Sequence, residues 1–150
     1  MIDPAALYKA QADAIACLGA PYLWGGKWPT RWEPSNQRGV DCSGFSKWVV
    51  GRAGIVLPDG ADGQYRVCKP WLKDPRLLDL GFCDMKPDGW IDHVVIHIGN
   101  GEVIEARACS KHLGHLREDC PYNKVVLRPD TVWERQKGFL GWYAIPGVYD

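Results

Sequence analysis

The chain has 150 residues, 46% of them apolar and 24% charged, with 18 Lys+Arg balanced by 18 Asp+Glu. These are the proportions of one ordinary globular domain able to bury about two thirds of its unfolded surface, and they exclude a disordered chain. The zero net charge gives no footing for a nucleic acid or an anionic membrane surface.

The opening stretch MIDPAALYKAQADAIACLGA lacks the basic flank and apolar segment of a secretory leader, and no run is long enough to span a bilayer. The expectation is therefore a soluble monomer made in the cytoplasm, delivered by another factor if it works outside. Six cysteines are too few for a disulfide scaffold of this length, so free thiols are expected.

In chain order, Asp3 can cap a helix, Pro4 suits its first position and Gly19 suits a left-handed stop. Leu7, Ala14, Ile15 and Leu18 share a face, which predicts a helix over about 4–18. Residues 20–41, rich in Gly, Pro and Trp, show no periodicity and read as a functional loop. From Cys42 the spacing of Phe45, Trp48 and Val49 predicts a second helix, ended by Gly51 or Gly54. Turn and loop follow, with a short helix near 62–67. LLDLGFC reads as a short strand before the turn DMKPDGW. HVVIHIGNGEVIEARA is the clearest hairpin, two β-branched runs around Gly99-Asn100-Gly101. KVVLRP and FLGWYAI supply two more strands. Helices first and an antiparallel meander after them define an α+β class.

A cysteine at a helix start lies near unpaired N–H groups and the positive end of the helix dipole, which favour the thiolate. That singles out Cys42, although a free cysteine is more often a small buried apolar residue. A nucleophilic thiol needs a base, and the four histidines are His93, His97, His112 and His115. His93 opens the hairpin at the exit of a loop. A three-residue turn at 99–101 sets Val95 opposite Glu105, so His93, His97 and Glu105 share a face with His93 diagonal to Glu105. A carboxylate there can bind the far imidazole nitrogen and stabilise the imidazolium. The same pattern also suits a hairpin face turned to water.

PYLWGG, DCSGF and DHVVIHIGNGEVIEA, in that order, resemble the signature of the NlpC-type cell-wall peptidases, a papain-like cysteine peptidase family. The resemblance runs from about Gly19 to Ala106 and continues more weakly beyond. It implies a papain-like α+β fold with the nucleophile helix packed on a small antiparallel sheet. It also implies Cys42 as nucleophile, His93 as general base and Glu105, twelve positions on, as the third polar residue. Tyr22 matches a tyrosine lining the site, able to hydrogen-bond Asp41 or substrate. Asp41, Ser43 and Trp24 are expected on the substrate side, and the Cys42 or Ser43 N–H at an oxyanion hole. The sequence departs from the family pattern at Val95, where glycine is common, at His97, where an aromatic residue is usual, and at Gly81-Phe82. His97 is a rival base.

The activity implied is cleavage of the γ-D-glutamyl to diamino acid bond of peptidoglycan stem peptides, without a cofactor. A phage lysin or tail component is the expected setting. An amidase cutting before L-alanine and a non-catalytic wall-binding module are the alternatives. Outside the family pattern, Cys109, His112, His115 and Cys120 follow C-x2-H-x2-H-x4-C, a spacing open to structural zinc, a Cys109–Cys120 disulfide or no link. The expectation is no metal. Trp24, Trp28 and Trp32 suit either a groove wall or loop packing, and Trp48 and Trp142 the core.

Overall fold

The computed structural model describes residues 1–32, 37–108 and 123–150; the Cys109 to Cys120 cluster lies outside the described residues. Helix α1, Pro4–Ala16, begins where Asp3 accepts the Ala5 N–H at 2.8 Å. It stops two residues before the expected 18. The Cys17 and Leu18 N–H groups already reach back only three residues, and Gly19 then turns the chain at a positive φ.

The stretch read as a loop is in part a two-stranded ribbon. Strand β1, Lys27–Trp32, pairs antiparallel with β2, Gln37–Val40. Its glycines and prolines erase the alternation that would have announced it; backbone bonds from Leu23 N–H to the Val40 carbonyl and from Asp41 N–H to the Gly26 carbonyl hold it instead. Helix α2, Cys42–Arg52, and the short α3, Ala61–Val67, follow.

The main sheet is antiparallel. Its strands are β3 (Lys69–Trp71), β4 (Leu80–Cys83), β5 (His93–Gly99), β6 (Glu102–Arg107), β7 (Lys124–Pro129) and β8 (Phe139–Ala144), with a five-residue helix α4, Asp130–Glu134, between the last two. The α+β expectation holds, and β4 to β7 form the expected meander. The last strand departs from it: the spatial order is β3-β8-β4-β5-β6-β7, so β8 crosses back between β3 and β4. The sequence reading had neither β3 nor α4, because three residues around Pro70 and one turn after Pro129 are too short to show a period.

Both faces of this sheet are covered. Leu80, Phe82, Val94, Ile96, Ile98, Ile104 and Ala106 join residues of α1 and α2 in the principal core, against which Trp48 also packs. Cys83, Val95, Val103, Trp133 and Trp142 form a smaller cluster with Phe139 on the other face. Two departures from the family pattern belong to this second layer. Val95 fills it, and Gly81 leaves room for it: a Cβ on Gly81 would lie 2.8–2.9 Å from Phe139, Trp142 and Val95.

Gly81→Ala is therefore expected to lower stability by about 1–3 kcal/mol through overpacking. Gly51→Ala, in open space on α2, should raise it by up to about 1 kcal/mol through helix propensity. Urea unfolding of the two variants against wild type checks both signs.

Candidate active site

Cys42 is the first residue of α2, as its sequence context predicts. Asp41 caps the helix, its Oδ1 accepting the Gly44 N–H at 2.6 Å and the Ser43 hydroxyl at 3.3 Å, while its carbonyl accepts the Phe45 N–H. The glycine of DCSG has a steric cause. A Cβ on Gly44 would stand 2.2 Å from the Gly26 carbonyl oxygen and 2.8 Å from Asp41 Oδ1, and a Cβ on Gly26 would stand 2.5 Å from the Gly39 carbonyl. The glycines of PYLWGG and DCSGF thus let the loop backbone press directly on the first turn carrying Cys42.

From the far side, the buried Gln64 of α3 fixes the same turn. Its Nε2 donates to the Ser43 and Pro58 carbonyls at 2.9 and 3.1 Å, and its Oε1 accepts the Ser46 hydroxyl at 2.5 Å. Nothing in the sequence announced Gln64; its buried amide uses its donors and acceptor to tie α3 and Pro58 to the first turns of α2.

His93 enters at the head of β5 from a turn organised by carboxylates. Asp84 accepts the N–H groups of Asp88 and Gly89, Asp92 accepts that of Met85, and Asp62 of α3 accepts that of Ile91. The register pairs Ile96 with Ile104 and so carries the predicted diagonal between His93 and Glu105. His93 Nε2 lies 3.2 Å from Glu105 Oε1. Cys42 faces His93 closely enough to be one of the groups acting on its imidazole; with Nε2 facing Glu105, Nδ1 is the nitrogen left for the sulfur.

Electrostatics favour the imidazolium. Burial pushes the His93 pKa down, but the hydrogen bonds to Cys42 and Glu105, and then their charges, outweigh it and raise it to about 10. Glu105 is only 1% exposed. Besides His93 it faces Arg128 Nη1, 3.7 Å from Oε1, while its Oε2 accepts the Trp133 indole N–H. Burial pushes the Arg128 pKa down, against the pull of Glu105. Trp133 and Arg128 were not among the sequence candidates, and no motif marks them; they follow only from the register of β6 against β7 and from α4.

The remaining candidates divide. Tyr22 is buried beside Cys42 and Asp41; burial first, then their negative charge, pushes its phenol well above the usual range. The Asp41 and Ser43 side chains bond to each other within the cap, and Ser43 is buried. Trp24 is 78% exposed in the loop running to β1. His97, the rival base, sits about 13 Å further along β5. It is buried, with Nε2 3.1 Å from Asp130 Oδ2 and Nδ1 accepting the Gly99 N–H, and its ring meets the Trp142 edge. Among the described residues, Cys17, Cys42, Cys68 and Cys83 are free thiols, and no cluster of metal-ligating side chains occurs.

The structure thus brings together a cysteine on a helix start, a histidine on an adjoining strand and a carboxylate behind it, on an α+β frame. The NlpC/P60 family model matches residues 19–127, and the chain belongs to this family. It is 38% identical over 100 residues to the probable endopeptidase p60 of Listeria innocua, covering 64% of this chain and 19% of that protein. It is 35% identical over 96 residues to the bifunctional muramidase/DL-endopeptidase CwlT of Bacillus subtilis, covering 63% and 27%. The chain thus spans about a fifth to a quarter of the length of these relatives. Among solved structures, RipD of Mycobacterium tuberculosis, described as a non-catalytic NlpC/p60 domain protein adapted to peptidoglycan binding, superposes with a TM-score of 0.67 at 23% identity, over 93% of this chain and 95% of that one.

Because the folded His93 pKa is raised above its ordinary 6.5, its protonation stabilises the fold fully below pH 6.5, and that contribution is lost as pH rises to about 10. The melting temperature of wild type relative to His93→Gln should therefore fall across this window and be level below it, as calorimetry in a pH series would record.

Proposed function

We propose that the protein is a cysteine endopeptidase of peptidoglycan stem peptides, cutting between γ-D-glutamate and the diamino acid. One observation carries the reading: His93 stands 3.2 Å from the buried Glu105 and is faced by Cys42 at the α2 start. The endopeptidase names of p60 and CwlT supply the substrate class.

In this mechanism the Cys42 thiolate attacks the scissile carbonyl carbon, and the oxyanion is received by the Cys42 and Ser43 N–H groups. The cap supports that role, since its bonds go to the Gly44 and Phe45 N–H groups. His93 then gives its proton to the leaving amine, the C–N bond breaks and a thioester remains. His93 next takes a proton from water, whose oxygen attacks the thioester and releases Cys42. Glu105 holds the imidazole and stabilises its cation throughout. Tyr22 and the exposed Trp24 belong to the substrate side, Trp24 as a flat apolar surface for the stem or its sugar.

RipD is a non-catalytic protein on the same fold, so the test must separate binding from cleavage. Diaminopimelate-type peptidoglycan is digested with wild type and Cys42→Ala, and the released fragments are read by mass spectrometry. Wild type should release fragments with a new diamino-acid N-terminus, and Cys42→Ala should lower the release by about 10³-fold or more. New L-alanine N-termini would make it an amidase. Equal release by both proteins would remove Cys42 from the chemistry, and no release by either would leave a wall-binding module.

A further inference from the structure

Glu105 has two carboxylate oxygens and, among the described residues, three partners. Oε1 is contested: His93 Nε2 stands 3.2 Å away and Arg128 Nη1 3.7 Å. Among the described residues Oε2 has one donor, the Trp133 indole N–H. The indole also neighbours both cations, with its ring centroid 4.9 Å from that of His93 at a tilt of 34° and the Arg128 guanidinium carbon 5.2 Å from the ring.

Trp133 is itself held. Its helix is pinned to two strands and a turn: Asp130 Oδ2 to His97 on β5 at 3.1 Å, Asp130 N–H to the Gly101 carbonyl in the turn before β6 at 2.9 Å, and Glu134 Oε2 to the Trp142 indole of β8 at 3.1 Å. A one-turn helix has little stability alone, so these bonds make α4 a fixed mount for one side chain.

We infer that Trp133 is a positioning residue: its indole N–H fixes the rotation of the Glu105 carboxylate so that Oε1 stays on His93 instead of swinging to Arg128. The inference rests on His93 and Cys42 being the reactive pair of the proposed function. Without the donor, Oε2 would be a buried acceptor with no partner, a state that costs more than the bond contributes when made. The carboxylate would relieve it by turning both oxygens toward the guanidinium, whose fork suits bidentate pairing. His93 would then keep its place in the fold and lose its orienter.

The test reads the His93 environment without any wall substrate. His93 is faced by Cys42 from α2, Cys83 from β4 and Glu105 from β6, with Arg128 of β7 behind Glu105. Cys83 is kept protonated, first by burial and then by the neighbouring negative groups. Alkylation of Cys42 by iodoacetamide is followed from pH 5 to 11 by mass spectrometry of the Cys42 peptide, in wild type, Trp133→Phe, Glu105→Gln and the double variant.

Trp133→Phe keeps an aromatic ring and removes the donor. Its alkaline step should fall by about one pH unit or more, and in the Glu105→Gln background the same change should move the step no further. An unmoved step in Trp133→Phe, or an equal shift in both backgrounds, would overturn the inference and leave Trp133 a packing residue. If Trp133→Phe does not fold, the Trp133 indole resonance of the wild type is titrated by ¹H–¹⁵N NMR. It should move with the alkaline midpoint of His93, and a resonance that does not respond would overturn the inference equally. Failure of wild type to cut peptidoglycan would sink the proposed function and still leave these curves readable.

Discussion

A carboxylate almost wholly removed from water is a severe constraint on a chain of this size, because an ionised group in a protein interior is tolerated only with compensating donors or charge. Glu105 imposes that constraint here. Its position in the middle of β6 requires a cation on one neighbouring strand, Arg128 of β7, and an imidazole on the other, His93 of β5. It also requires a cover for the outer face of the sheet, which α4 and the aromatic cluster around Trp142 provide. The second hydrophobic layer, the room left at Gly81 and the helix after β7 thus belong to one arrangement that keeps a single charge dry and partnered.

The Cys42 sulfur is set by different means. Cys42 is held by the backbone around it: the Gly26 carbonyl lies against Gly44, and the Asp41 and Gln64 side chains bond the Gly44 N–H and the Ser43 carbonyl. The thiol therefore comes from the helical layer and the imidazole from the sheet, and the principal core lies between the two supports. A change in that core can tilt one against the other without touching either residue, which is how distant substitutions misplace reacting atoms.

Much of this was legible in the sequence, and the boundary has physical causes. The helix start at Cys42 could be read because capping and dipole effects are local. The His93–Glu105 diagonal could be read because a tight glycine turn confines the register of one hairpin. The strands meet at Gly99 and Glu102 around Asn100-Gly101, and an irregularity between His97 and Gly99 gives the offset expected of a three-residue turn. The ribbon of β1 and β2 was missed because its pairing rests on backbone bonds in a stretch of glycine and proline, with no side-chain pattern to report it. Gln64, Arg128 and Trp133 were missed because each acts across elements far apart in the chain; Trp133 stands 28 residues from the carboxylate it serves. The order of β8 in the sheet was beyond reach for the same reason. The family resemblance supplied the roles of Cys42 and His93, and residue chemistry alone left both open.

The crossover of β8 has a bearing on how the molecule comes to be folded. Among the described residues β3 has no neighbour in the sheet except β8, and β4 has only β5 until β8 arrives. Strands β4 to β7 can zip together hairpin by hairpin as they emerge, since their contacts are close in sequence. The β4 edge stays open during that time, a surface prone to pairing with other chains. Residues 139–144 close it and admit β3 in the same step. Assembly of the sheet is thus ordered from its middle outward to the β3 side, and its vulnerable interval ends when β8 docks.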